Sequence, residues 1–357
     1  MVCIMYNKND EINKLKNIIN HQNQEIVNLK KELKKCEDQI NSFPQLSQTS
    51  LGKTTSNGKI TYRNWWTAWK SEFDGFCDDI WFTRFLNHRF PDVDYKLNIF
   101  SVFGDHDNIA KEMDGKKVLY AAENSNKRFL HFNKNFGRYA LDYVDLAMGN
   151  DLIDHHKYLR FPLWILFNFL PQFNEADIEN HINNLTSLNF NKTKDVAVIA
   201  SHDLWQTRSL IVNDIEKFSR ICFAGKWRNN TNELWDKFNN NKIEYLKQFK
   251  FNICPENLLD TAYVTEKIFD SIKSDCIPLY AGGGDYLEPQ VLNNNAILCW
   301  DFDKDNTDSI EQFKNLINDK DTYKEFKDQD ILLDTSSKYV IKKFNDLEKH
   351  FERLIYS

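Results

Sequence analysis

The sequence predicts an α/β protein with two Rossmann-like domains and, ahead of them, a helix that pairs as a coiled coil. Three observations predict it. Residues 191–345 alternate short apolar strands with helical stretches, residues 59–165 mix strand-like and helical stretches, and residues 11–40 repeat apolar side chains every seven positions.

The repeat comes first along the chain. Ile12, Ile19, Ile26, Leu33 and Ile40 share one heptad position and Leu15, Leu29 and Cys36 the other, with Gln22 interrupting the seam. β-Branched residues at the first position with Leu at the second favour two parallel strands. Residues 1–42 are therefore read as a coiled coil, and self-association through residues 11–40 as a parallel dimer is expected. A single amphipathic helix folded onto the body fits the same spacing. Residues 43–58, with Ser, Thr, Gln, Gly52 and Gly58, have no period and read as a flexible linker.

The first α/β domain is assigned to residues 59–165. Strands are expected at 60–62, 95–103, 117–122 and 143–148, and a helix at 79–87. Residues 166–190 read as a crossing segment, partly helical, with Pro162 and Pro171 as breakers. The second domain, 191–345, has strands expected at 196–200, 221–224, 251–254, 277–281 and 296–300, separated by helices at about 204–218, 242–249 and 264–273. Continuous apolar strands joined by helices imply a parallel sheet covered on both faces. Residues 346–357 are assigned as a C-terminal helix end.

Composition narrows the function classes. The 357 residues are 41% hydrophobic and 14% aromatic, enough for full cores, and carry a formal net charge of −6. That balance offers no general attraction to nucleic acid, so no nucleic-acid partner is expected. Cysteines at 3, 36, 77, 222, 254, 276 and 299 are odd in number and lack metal-ligand spacing, which fits free thiols in a reducing compartment. No 18-residue apolar stretch and no signal-peptide core occur, so no membrane span and a cytoplasmic location are expected. Three Asn-x-Thr triplets, at 184, 191 and 229, then read as chance matches.

The chemistry concentrates in Phe251-Asn252-Ile253-Cys254-Pro255-Glu256-Asn257, followed by Tyr263-Val264-Thr265-Glu266-Lys267 and by Cys276-Ile277-Pro278-Leu279-Tyr280. This is a strand, a turn, a helix start and a second strand. A helix from about Tyr263 would put Tyr263, Glu266, Lys267 and Asp270 on one face and Val264, Ile268 and Ile272 on another. By spacing alone, the polar face is either a binding wall at a strand's carboxyl end or a solvated helix surface.

The wording of these blocks resembles the donor signature of the α-1,3-fucosyltransferases: F-x-x-x-x-E-N, a short gap, Y-x-T-E-K, then an I-P-type strand. Pro255 departs from it, since the family more often has an aromatic residue there. The resemblance implies the GT-B fold, with two domains facing a cleft. It also implies GDP-fucose as the donor, an acceptor glycan, inversion at the transferred sugar, and no required cofactor. The first domain then takes the acceptor and the second the donor.

Inverting transfer needs a base for the acceptor hydroxyl and cations for the departing diphosphate. Glu123 follows the apolar run Val118-Leu119-Tyr120-Ala121-Ala122, at a strand's carboxyl end, and matches the family's strand-plus-Glu context as the catalytic base. A loop carboxylate in solvent is the alternative. Arg208, in Ser201-His202-Asp203-Leu204-Trp205-Gln206-Thr207-Arg208, resembles the family's Ser-x-Pro-x-x-x-Arg diphosphate contact, although the Pro is missing. With Lys267 it would place two cations on the leaving group.

Gly225-Lys226-Trp227-Arg228-Asn229-Asn230 resembles the family's Gly-Lys-x-x-Asn-Asn turn, which makes Lys226 and Asn230 donor contacts. Glu256, Asn257, Tyr263 and Glu266 are implied as partners of base, ribose or fucose. Arg160, in an Arg-x-Pro-Leu-type segment, reads as structural, and His202 as a loop residue. Asp105-His106-Asp107 reads as a solvated turn, so no metal site is expected. The implied activity is α-1,3 transfer of fucose to N-acetylglucosamine. Another GDP-sugar or linkage, and a silent nucleotide- or glycan-binding protein assembled through its coiled coil, are the alternatives.

Overall fold

The computed structural model describes residues 55–65, 77–103 and 115–357, together with positions 16, 19, 22–24, 26, 27 and 30, which are helical. The remainder of the heptad region, Cys3, Cys36 and Asp105-His106-Asp107 lie outside the described residues. Met1–Gly52 and Lys53–Ser357 are separate units.

Two sheets form the larger unit. The first runs β1-β2-β3-β4-β5-β6 in spatial order, with β1 Thr55–Ser56, β2 Ile60–Arg63, β3 Leu97–Phe100, β4 Lys116–Ala121, β5 Leu146–Gly149 and β6 Tyr158–Arg160. Only β1 is antiparallel; Ile60 pairs with Leu97, Ile99 with Val118, and Val118 with Leu146. β3 and β5 are buried along their whole length, so both faces of this sheet are covered.

The second sheet is parallel throughout, in the order β11-β10-β9-β7-β8. Its strands are β7 Lys194–Val198, β8 Ile221–Phe223, β9 Phe249–Ile253, β10 Ile277–Tyr280 and β11 Leu298–Cys299. The chain leaves β7 towards β8 and then returns past β7 to β9. The order therefore reverses between β7 and β9, and the loops beyond their carboxyl ends part to leave a crevice.

Each expected strand has a counterpart, within a few residues at its ends. The crossing segment contains two helices, Leu163–Asn168 and Glu175–Thr186, the second closed by a capping box between Asn174 and Asp177. Pro162 stands just before the first helix, where its missing N–H costs nothing, and Pro171 separates the two.

Three helices follow β11, and the last, Ser336–Tyr356, runs unbroken through residue 345, where a boundary was expected. Its buried Tyr339, Val340, Phe344, Leu347 and Phe351 return to the first half of the molecule. Phe344 meets Trp81 at 5.6 Å and Phe85 at 6.1 Å between ring centroids, and both lie on the helix Trp81–Arg89.

A buried ion pair ties these parts together. Arg160, at the end of β6, donates to both Glu288 carboxylate oxygens at 2.6 and 3.1 Å, to Tyr339 Oη at 2.6 Å, and to the carbonyls of Asn150 and Ala262 at 2.8 and 3.2 Å. Trp164 Nε1 donates to the same Glu288, and its ring stacks on Phe269 at 4.6 Å. Arg160 is structural, as its sequence context suggested.

Burial pushes the phenols of Tyr62, Tyr120 and Tyr280 well above their ordinary value. The unfolded chain would release those protons near pH 10 while the folded chain keeps them, so their stabilisation is present below about pH 10 and lost as pH rises beyond it. Lys343, pushed down to about 8 by burial and by Arg160, works the other way over roughly pH 8–10. Three phenols outweigh one amine. Urea midpoints followed from pH 8 to 11 are expected to fall above about pH 10, and a midpoint still rising at pH 11 would contradict this.

Candidate functional site

The crevice at the switch point is a pocket of about 310 Å³. Its walls come from the carboxyl ends of β7, β8 and β9 and from the starts of the helices Thr207–Ile215 and Glu266–Lys273. Gly225, just after β8, belongs to this wall. A Cβ there would lie 2.0 Å from the Ala200 carbonyl oxygen, so close approach of the loops after β7 and β8 requires glycine.

Arg208 is held by its own helix start. The Asp203 carboxylate accepts from the N–H groups of Arg208 and Ser209 at 2.9 and 2.8 Å, doing the work of an N-cap. Arg208 is 7% exposed, and its Nη2 donates to Asn257 Oδ1 at 2.6 Å. Nη1 is buried and has no hydrogen-bond partner among the described residues. Burial pulls the guanidinium below its ordinary range, against Asp203 and Glu256, yet it stays protonated at neutral pH. A buried cation with a free donor suits an anion in the pocket.

The second cation is built around Glu256, which is 0% exposed. Its carboxylate accepts from Thr265 N and Tyr280 Oη at 2.8 and 2.9 Å, from the Thr265 hydroxyl, and from Lys267 Nζ at 2.8 Å. Lys267 Nζ also donates to Thr265 Oγ1 at 2.9 Å, leaving one of its three N–H donors for the pocket it lines. Burial opposes the charge on Lys267, but Glu256, Glu266 and Glu123 together raise its pKa above the ordinary value. Gly282 completes this arrangement, since a Cβ there would stand 2.5 Å from Tyr280 Oη and 2.7 Å from Glu256 Cγ.

Arg208, Lys226, Asn257, Glu266 and Lys267 all line the one pocket. Burial works against ionisation of Glu266 but is outweighed by Lys267 and by hydrogen bonds at the helix start, so its carboxyl stays below the ordinary value.

Three expected contacts sit elsewhere. Glu256 turns inward as the brace of Lys267. Asn230 pairs with the edge of β8, accepting from Phe223 N at 2.8 Å and donating to Ile221 O at 2.9 Å, and does not line the pocket. Tyr263 is buried outside the pocket lining. The helix begins at Glu266, because its hydrogen bonds to Glu256 hold Thr265 extended, at φ −118° and ψ −163°. Tyr263 therefore shares no helical face with Lys267.

Pro255 costs no sheet hydrogen bond. Cys254 N and Glu256 N pair with β10 and its continuation, and the residue between them has no ladder partner to lose.

Glu123 stands half-buried two residues beyond β4, and its charge acts on Lys267. Three residues on, Asn126 donates at 3.1 Å to Asp260, on the loop between Asn257 and Tyr263. The loop that carries Glu123 thus meets the loop that carries the donor signature. Sequence reasoning missed Trp235 and Lys242 in the pocket lining, and His202, read as a loop residue, lines it as well; the signal for Trp235 was an aromatic residue in the polar run after Gly225. Among the described residues there is no His, Cys, Asp and Glu cluster that could hold a metal ion, and no helix long and apolar enough to cross a membrane.

Residues 189–345 match the profile of the C-terminal domain of glycosyltransferase family 10 (fucosyltransferase). The α-(1,3)-fucosyltransferase FucT of Helicobacter pylori is 26% identical over 291 residues, a match that takes in 72% of this chain and 54% of that relative. The chain thus spans about half the length of the curated relative it matches. Two solved α1,3-fucosyltransferase structures, one with GDP-fucose and one with GDP, each give a TM-score of 0.55 at 21% and 20% identity. They cover 83% and 84% of this chain and 92% and 90% of their own. The likeness shows the fold, which is GT-B, as the sequence implied.

Proposed function

We propose that the chain moves fucose from GDP-fucose, with inversion, to a hydroxyl of an acceptor glycan, forming an α-1,3 bond to N-acetylglucosamine; the match of residues 189–345 to the family 10 fucosyltransferase profile supports this reading. The observation that carries this reading is the pair of cations on one pocket, Arg208, with its unpartnered buried Nη1, and Lys267.

In this reading residues 191–345 hold the donor and residues 59–165 present the acceptor. Glu123 takes the proton of the acceptor hydroxyl as its oxygen attacks the fucose anomeric carbon. The bond to the diphosphate breaks, and Arg208 and Lys267 take up the charge left on GDP. In the same reading Asn257, Glu266 and Lys226, which line the pocket, bind ribose, fucose or phosphate oxygens. Glu256, Tyr263 and Asn230 act by shaping the loops. No cofactor is needed for these steps. The unpaired thiols of Cys77, Cys222, Cys254, Cys276 and Cys299 favour a reducing, cytoplasmic setting.

GDP release from GDP-fucose, measured with a panel of N-acetylglucosaminyl and β-galactosyl acceptors, tests the reading. Release that requires the acceptor supports it; no release with any acceptor would sink it. Residues 11–40 are proposed to pair two chains in parallel. Deleting residues 1–45 is then expected to convert a dimer to a monomer by light scattering with GDP affinity unchanged, and a full-length monomer would count against it.

A further inference from the structure

The donor pocket has a wall that the proposed chemistry does not use. Trp235 lines the pocket, yet its side chain is 53% exposed and stacks on no other ring among the described residues. Trp65, Trp164 and Trp300, by contrast, are buried. Its position is fixed by neighbours. Leu234, 1% exposed, anchors the turn Glu233–Asp236 in the core, and the Leu234 carbonyl accepts from Asn240 N at 2.8 Å. An indole held open at the edge of a pocket offers a large flat apolar face, on which a planar ring could stack with a gain in buried area.

The pocket's other groups say what carries that ring. The free Nη1 donor of Arg208 and the Lys267 ammonium, which Glu256 pairs from one side, suit an anion in the same cavity, and Asp270 and Lys242 on its wall supply polar partners for a heterocycle edge. A ligand with an anionic end and a flat aromatic end is a nucleoside diphosphate. We propose that Trp235 is the stacking platform for the nucleobase of the donor, a purine whose two rings cover the indole. This rests on the reading that the pocket takes a nucleoside diphosphate sugar. It assigns the base end of that ligand to a residue outside the recognised signature.

Calorimetric titration of the full chain with GDP and with ribose 5-diphosphate, which keeps the sugar and both phosphates but lacks the base, tests the assignment. Trp235→Ala is expected to weaken GDP roughly ten- to a hundredfold and to leave ribose 5-diphosphate within about twofold. Trp235→Phe, which retains a ring, is expected to hold GDP within about fivefold of the parent. An alanine variant that binds GDP as tightly as the parent overturns the platform, and so does one that weakens both probes equally. A parent that binds neither probe overturns the donor reading itself, and the platform with it. Because the indole is half in solvent, the alanine variant should fold as the parent does, which a thermal midpoint within about 2 °C would show.

Discussion

Glu123→Gln is expected to lower turnover by about two to four powers of ten while leaving GDP affinity within about twofold. The amide keeps the size and hydrogen-bonding capacity of the side chain but cannot take a proton. Glu123 lies beyond β4 in the first half, outside the lining of the pocket, and its charge is the smallest of the influences on Lys267, so GDP binding should change little without it. Turnover is read as acceptor-dependent GDP release and affinity by titration. Turnover within about tenfold of the parent would remove Glu123 as the base and move the search to another carboxylate of the cleft.

Lys267→Met should fail in two separable ways. Without the ammonium, Glu256 is left as a carboxylate at 0% exposure, still served by Thr265 and Tyr280 but with no cation hydrogen-bonded to it. Removing one partner of a buried pair costs about 3–5 kcal/mol, and Lys267, 21% exposed, points to the lower end, about 3 kcal/mol. If Lys267 takes up diphosphate charge as proposed, its loss should also lower kcat/KM by about two to three powers of ten. Adding Glu256→Gln to Lys267→Met neutralises the stranded carboxylate, so the double variant should regain much of the stability and none of the activity. A single variant as stable as the parent in urea would contradict the brace, and a double variant with restored turnover would contradict the leaving-group role.

What was legible in the sequence follows from what each signal encodes. Strands such as Phe249–Ile253 and Leu146–Gly149 are apolar runs because both of their faces are covered, and this pattern is local. The signature supplied Asn257, Glu266 and Lys267 because residue type and order survive in a motif. Direction does not. Glu256 and Asn257 are adjacent in the chain, yet one is sealed under Tyr280 and the other meets Arg208 in the pocket. The choice is made by Thr265, nine residues away, whose N–H and hydroxyl draw the carboxylate inward. The late start of the helix, which removed Tyr263 from the pocket face, has the same cause. Trp235 was missed because an exposed aromatic residue has no periodicity to reveal it.

The helix Ser336–Tyr356 also covers a surface that the rest of the described fold leaves open. It brings Tyr339 to Arg160 across 179 positions of chain, and Phe344, Leu347 and Phe351 to a core that includes Phe82, Phe85 and Tyr120 of the first half. Without this helix both sheets and the pocket can form, but the aromatic layer over the first sheet stays open to water and to other chains. A variant lacking residues 336–357 should therefore be captured by a chaperone, or aggregate, more often than the full chain.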